Sequence, residues 1–446
     1  MSHEVAAPDY PTAVNRPGLT TVMGLLRLPM LSWLARRYLA GPGGMLDLSN
    51  VSRLPDSVLW PLRRTGLDPI EELGRRREQE PVSRLTVPFG IKAWLVTGYD
   101  EVRAVLSAGD AFSNDFSNLT GSTGVPAQHN PGGLGFADPP VHTRLRRLLT
   151  PEFTMRRLAR LRPRIDAIIT EQLDAMAVQD ATGDPVDLWQ SFALPIPSLT
   201  ICELLGVPYG DRAEFQMLST ARFDMAGDTD ASLGAMTQSV AYLLDLVARQ
   251  RSAPGDGLLG GLIREHGAEI DDLELAGLAD GVLTGGLETS ASMLALGALV
   301  LMNNPATADQ IRAGQGIDSF VEELLRYLTV VQVAFPRFAT RDIVIGGVAI
   351  SAGDGVVCSL SGANRDGSLG TGMDRFDPGR TAAPHLAFGY GIHRCVGAEL
   401  ARMELRAAYP ALVRRFPAMR LLGDPADLTF RDTSIVYGVE ALPVRL

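Results

Sequence analysis

Ten residues, Phe388 to Gly397, read FGYGIHRCVG and surround Cys395 with glycines and cations. Gly389 and Gly391 allow a tight backbone reversal that side chains would block, and Gly397 lets a flat ligand approach just after the cysteine. From Cys395 onward the text CVGAELARMELRAAYPALVRRF has helical apolar spacing. The sulfur is therefore expected at a helix N-terminus, where free N–H groups and the macrodipole favour thiolate over thiol. An anionic sulfur at an open coordination site, flanked by His393 and Arg394, suits axial ligation of a haem iron whose propionates need cationic partners. Two plainer readings use the same residues: a buried structural cysteine, or a zinc site built from His385, His393 and Cys395. The zinc set lacks a fourth ligand and any paired CxxC or HxxxH spacing.

A second constellation, GGLETS from Gly285 to Ser290, lies inside the apolar stretch Asp271 to Met302. That stretch predicts one long helix, opening on acidic residues and stopping before Asn303, Asn304 and Pro305. It would run about 48 Å, and Glu274, Asp280 and Glu288 make it a poor membrane span. Gly285 and Gly286 at its middle each cost about 1 kcal/mol relative to alanine, which points to a close ligand or a local kink. Glu288 and Thr289 would place a carboxyl and a hydroxyl at that weak point, where an opened helix could hold water. A back-bonded threonine beside an exposed glutamate is the plainer alternative. Further along, Glu323 and Arg326 stand three apart and can pair on one helix face.

The cysteine run closely resembles the haem-binding signature of the cytochrome P450 family, with Cys395 in the axial-ligand position and Phe388, Gly389 and His393 in the surrounding loop. Three further segments resemble family motifs in the family's order. EELLR is similar to the E-x-x-R pair, with Arg375 of MDRFDP as the arginine that joins Glu323 and Arg326. GGLETS resembles the oxygen-activation motif, with Glu288 and Thr289 as acid and alcohol and Leu287 in place of the more usual histidine or phenylalanine. DPPVHTRLRR supplies His142 and Arg146 as a propionate-binding pair, and Arg337 of FPRFATRD matches another propionate arginine. The resemblance implies a mainly α protein with small β-sheets, haem b lying between the long central helix and the cysteine-loop helix. It also implies a haem-thiolate monooxygenase that inserts one oxygen atom of O2 into an apolar small molecule. The expected reaction is hydroxylation or epoxidation of a polyketide, terpenoid, steroid or aromatic natural product. Oxidative phenol or aryl coupling and a peroxygenase-type variant are the alternatives within the family, and a non-catalytic haem-binding sensor or docking protein is the alternative outside it. In the family, the Glu323, Arg326 and Arg375 network supports the cysteine loop rather than the chemistry.

The elements needed to position these residues are legible as helical spacing around Val141 to Met176, Leu194 to Leu205, Ala213 to Phe223, Ser232 to Arg251 and Ser319 to Leu328. Strand-like stretches are AWLVT near Trp94, DIVIGGVAI near Val344 and GVVCSL near Cys358. No low-complexity linker or fixed-period repeat interrupts the 446 residues, so residues 1–50 are read as an N-terminal extension and 51–446 as a single catalytic domain. Substrate is expected against Asn114 to Phe136, the Phe223 to Ser232 connection, Val330 to Phe335 and the turn at Ile435 to Tyr437.

A net charge of −10 argues against nucleic acid as a partner. Two local basic clusters remain. Arg75 to Arg77 reads as a solvated helix face, whereas Arg144 to Arg147 could dock an acidic electron donor, and neutralising Arg144 and Arg147 would then slow electron transfer. No fused reductase is evident, so electrons are expected from NAD(P)H through a ferredoxin and a ferredoxin reductase. Three cysteines, an odd set, fit a reducing cytoplasm with no disulfide framework. The start of the chain lacks the pattern of a secretory signal, and Met23 to Ala40 is broken by arginines and Pro29, so no transmembrane span is expected.

Overall fold

The computed structural model describes residues 55–87, 92–115, 133–221 and 229–446, with no side-chain description for 219–236. The expected substrate loops fall partly outside these residues, as do Met23 to Ala40 and the N-terminal extension.

The apolar stretch forms one uninterrupted helix, Asp272–Asn303. Its start is fixed by a capping box: the Asp271 carboxylate accepts the Glu274 N–H at 2.8 Å, and the Glu274 carboxylate accepts the Asp271 N–H at 3.4 Å. Its end is enforced by Pro305, which opens the next helix, Pro305–Arg312. This helix is long and apolar enough to cross a membrane, but 72% of its most apolar window is buried inside the protein. The helices Pro195–Leu205, Thr229–Ser252 and Ala398–Arg415 pack against it. Gly297 permits the closest of these approaches, since a Cβ there would lie 1.9 Å from the Tyr409 hydroxyl. That hydroxyl donates to the Met293 carbonyl at 2.5 Å and joins the long helix to the helix following Cys395.

Five short strands form one sheet in the order Val82–Thr86, Lys92–Val96, Gly355–Cys358, Arg337–Ala339, Phe112–Ser113. Only Lys92–Val96 and Gly355–Cys358 run parallel, with Val356 opposite Trp94. DIVIGGVAI, read as one strand, folds into a hairpin of Ile343–Ile345 and Val348–Ile350. The expected helix from Val141 to Met176 is also divided, into Val141–Leu149 and Arg162–Asp180 with short turns between. Pro151 and Pro163 sit at the breaks, where a missing N–H and a fixed φ interrupt a continuous helix. Arg77 departs from the solvated-face reading: it is buried and donates to the Gly362 carbonyl at 3.2 Å, while Arg75 and Arg76 pair with Glu72 outside.

Between the long helix and Ala398–Arg415 lies a buried carboxyl, Glu404. Burial pushes it up to about 7, against smaller lowering by the Thr200 and Ser290 hydroxyls. Thr200 is a loose partner, because its Oγ1 forms no close hydrogen bond. A carboxyl raised in the folded state binds its proton more tightly there, so stability falls as pH rises from the unfolded value near 4.5 through 7. Glu404→Gln is expected to remove on the order of 2 kcal/mol of this decline between pH 5 and 8. Urea unfolding at the two pH values checks it, and parallel wild-type and variant profiles would refute the assignment.

Candidate functional site

The cysteine loop begins with two tight reversals. Gly389 and Gly391 both adopt positive φ, at 67° and 72°. At Gly391 a side chain is excluded twice over, because a Cβ would also meet the Leu106 carbonyl at 2.1 Å. Phe388 stands beneath the Arg402 guanidinium at 4.7 Å, and its carbonyl accepts the Cys395 N–H at 2.9 Å. The helix begins at Ala398 with Gly397 as its N-cap, so Cys395 lies just outside the first turn. Cys395 is an exposed residue of the loop, although protein crowds its sulfur. Burial pushes the thiol up; the Gly397 N–H and the Arg146, Arg394 and Arg402 cations oppose this. The thiolate preference expected from the helix terminus is therefore a smaller influence than burial. A bound metal cation would supply the missing stabilisation, since coordination deprotonates a thiol.

Four nitrogen-bearing side chains gather near this loop. His142 and His393 have ring centroids 4.1 Å apart, and the charges of Arg146 and Arg337 act on both rings. Burial, then Arg146, pushes His142 down to about 4; burial, then His142, pushes His393 down to about 3. Burial also lowers Arg146 and Arg337. His142 is 2% exposed, and neither of its ring nitrogens has a hydrogen-bond partner among the described residues. Unsatisfied buried nitrogens beside two arginines, with a cysteine sulfur adjoining, fit the propionates and iron of haem.

His385 belongs elsewhere: its Nε2 lies 3.2 Å from the Glu322 carboxylate. Among the described residues no group of three His, Cys, Asp or Glu side chains converges as a metal set, so the zinc reading lacks its ligands. Cys202 and Cys358 are buried and unbonded to each other.

On the long helix, Gly285 faces open space, with nothing within 4 Å of a Cβ placed there, whereas Gly286 packs on Ile201. The helix is not opened here, contrary to expectation. Thr289 Oγ1 donates to the Gly285 carbonyl at 2.7 Å, the back-bonded arrangement. Glu288 is neither exposed nor free: Arg431 Nη1 donates to its Oε1 at 2.6 Å, with both side chains largely buried. Burial raises Glu288 and Arg431 lowers it, the first effect being larger. Arg431 also lies 4.1 Å over the Trp189 ring and donates to the Val439 carbonyl.

Glu323 and Arg326 form a buried pair, as their spacing suggests. Arg326 Nε and Nη2 donate to the two Glu323 oxygens at 2.8 Å. Arg375 joins differently from the expectation. Its side chain is exposed, and its carbonyl accepts from Arg326 Nη2 at 3.0 Å. Arg380 supplies the third guanidinium, with Nε 3.0 Å from Glu323 Oε1. Turns closed by Arg375 N–H to Gly372 and Arg380 N–H to Asp377 fold the chain so that Arg380, rather than Arg375, reaches inward.

The basic cluster is also partly absorbed by the fold. Arg144 donates to the Glu269 carbonyl and to the Glu274 carboxylate of the capping box, and Arg147 pairs with Glu269 at 3.2 Å. Arg380, Arg431 and Glu404 were missed by sequence reasoning. DRFDPGR carries both candidate arginines and could have raised the first; Arg431 and Glu404 have no local signature.

A family model described as Cytochrome P450 matches residues 76–254 and 317–429, more than half of the chain. The mycinamicin IV hydroxylase/epoxidase of Micromonospora griseorubida is 40% identical over 384 residues, covering 85% of this chain and 96% of that one. The structure of OxyE, a cytochrome P450 involved in teicoplanin biosynthesis, superimposes with a TM-score of 0.81 at 40% identity, covering 88% of this chain and 100% of that one. OxyC, implicated in an oxidative C–C coupling reaction during vancomycin biosynthesis, gives a TM-score of 0.77 at 37% identity, covering 86% and 96%.

Proposed function

The chain belongs to the cytochrome P450 family, and from that premise we propose that residues 51–446 form one catalytic domain oxidising an apolar natural product of polyketide-like size in the cytoplasm. The observation that carries the site assignment is the convergence of the Cys395 sulfur with His142, Arg146, Arg337 and His393. When bound, haem supplies reductive activation of O2 and transfer of one oxygen atom to carbon. His142, Arg146, Arg337 and His393 would hold the propionates, and the Gly397 N–H would orient the sulfur.

Thr289 Oγ1 and the Glu288 carboxyl are the proton-handling groups. The Thr289 hydroxyl donates to the Gly285 carbonyl, and rotation about χ1 would present it to the open space beside Gly285. Arg431 holds Glu288 Oε1, so any proton Glu288 handles would pass through its other oxygen or after this bond opens. Epoxidation and hydroxylation both fit this arrangement; the relationship to OxyC keeps oxidative coupling as the second reading.

Electrons come from NAD(P)H through a ferredoxin and its reductase. Docking is expected near Arg146 and the Cys395 face, which exposes Tyr390, Ile392 and Arg394, with Arg144 and Arg147 already paired to Glu274 and Glu269. Arg394 has no ion pair among the described residues.

Thr289→Ala tests the assignment. Compounds are first ranked by spin-state shift; with the best of them, the variant is expected to consume NAD(P)H at a near wild-type rate while product falls severalfold and peroxide rises. Full coupling in the variant would remove Thr289 from proton delivery.

A further inference from the structure

A buried hub on the far side of the expected pocket walls has no role in the chemistry described above. Arg64 is 8% exposed, and its donors all go to neutral acceptors: Nε to Gln332 Oε1 at 2.8 Å, Nη2 to the Thr329 carbonyl at 3.0 Å, and Nη1 to the Leu67 carbonyl at 3.1 Å. Its guanidinium also lies 4.6 Å over the Tyr437 ring. Gln332, fully buried, uses its whole amide. Oε1 accepts from Arg64, and Nε2 donates to the Leu62 carbonyl at 2.7 Å and the Ser434 carbonyl at 2.9 Å. Its backbone N–H donates to Ile435, and its carbonyl accepts from Leu360 and Ser361. Two side chains therefore fasten residues 62–67, 329–332 and 434–437 to one another.

The fastened segments lead directly into the site. Residues 329–337 end at Arg337, whose Nη1 holds the Phe335 carbonyl at 2.8 Å, and Phe335 packs on Phe136 at 4.8 Å. The C-terminal turn begins at Arg431 on Glu288 and returns to Val330 through the Tyr437 N–H. At the third corner, Thr329 sits in the left-handed region at φ 39°, unusual for a β-branched residue. Its hydroxyl accepts from Asn364, whose side-chain oxygen accepts the Leu386 N–H just ahead of the cysteine loop. A buried cation with no carboxylate among its hydrogen-bond partners is costly, and burial, then the Arg365 charge, lowers Arg64 to about 9 against smaller opposing effects that include Asp68. Apolar packing could join these segments more cheaply; what the hydrogen bonds add is a fixed register between them.

We propose that Arg64 and Gln332 are positioning residues for specificity: by locking Val330–Phe335 against Ser434–Tyr437 they set the width of the pocket between the Glu288 acid and the Arg337 cation. The proposal rests on the haem-site reading. It predicts that ligands reaching the pocket wall feel the hub, and ligands confined to the iron do not.

The test uses the haem-loaded full chain titrated with imidazole and with 4-phenylimidazole, read by the Soret shift. In Gln332→Met and Arg64→Met, imidazole affinity is expected within about twofold of wild type while 4-phenylimidazole affinity changes about tenfold, in line with the cost of a small misplacement of binding groups. Arg64→Lys, which keeps charge and one or two of the donations, is expected to recover most of the difference; with Gln332→Asn it carries the test should the methionine variants not fold. Equal changes for both ligands, or no change for either in a folded variant, overturn the proposal alone. A wild-type protein that takes up no haem overturns the haem-site reading, and this proposal with it.

Discussion

Cys395→Ser is expected to abolish the strongly red-shifted Soret band of the reduced, carbon monoxide-bound protein and to lower turnover at least ~10³-fold, about 4 kcal/mol of barrier. The expectation follows from how this loop treats its sulfur. Burial alone drives the thiol toward its neutral form, and only the Gly397 N–H and three arginines oppose it. A metal cation would complete the stabilisation of a thiolate here, and a hydroxyl is far too weak an acid to take that place at neutral pH. Because serine differs from cysteine only in oxygen for sulfur, the serine variant should fold, which separates loss of the ligand from loss of the protein. A wild-type spectrum without the shift would return the site to a neutral-ligand haem or to a binding module. Retention of the shift in Cys395→Ser would move the ligand to another residue.

Legibility in the sequence tracks how local the determining contact is. The cysteine loop was readable because its reversals, its sulfur and its following helix occupy one contiguous run in which each glycine has a backbone task. The long helix was readable to within a residue because Asp271 and Glu274 mark its start and Pro305 its end. The pairing of Glu288 was not readable, since Arg431 lies 143 residues away and nothing near Glu288 requires it. The same holds for Arg64 and Gln332, 268 residues apart, each an ordinary polar residue in its own segment. Thr289 shows a subtler limit. Its motif carries no information on whether the hydroxyl bonds the helix or the pocket; only the 2.7 Å contact with Gly285 decides that.

Glu323→Gln is expected to lower stability by about 3–5 kcal/mol, the range for breaking a buried ion pair by removing one partner. Against a total of about 5–15 kcal/mol for a typical protein, such a loss would show as a large drop in Tm and in haem content per chain. The argument rests on what is left behind. Arg326 and Arg380 would keep two guanidiniums facing a neutral amide, with Arg326 only 1% exposed in its side chain. Removing the pair together is often harmless elsewhere, because two desolvation penalties vanish with one attraction. Here that rescue should fail. Arg326 also donates to the buried carbonyls of Asn364 and Met373, so Glu323→Met combined with Arg326→Met would strand two buried acceptors in the segments that lead to the cysteine loop, while the Arg375 carbonyl would keep Arg380 Nη2 as a donor. Arg380→Met should cost less than either, because the Glu323–Arg326 pair survives. Thermal unfolding with parallel haem quantification distinguishes these cases: a double variant as stable as wild type would show that the network contributes only its ion pair, and that the carbonyl scaffold around Arg326 contributes little to retaining the cofactor.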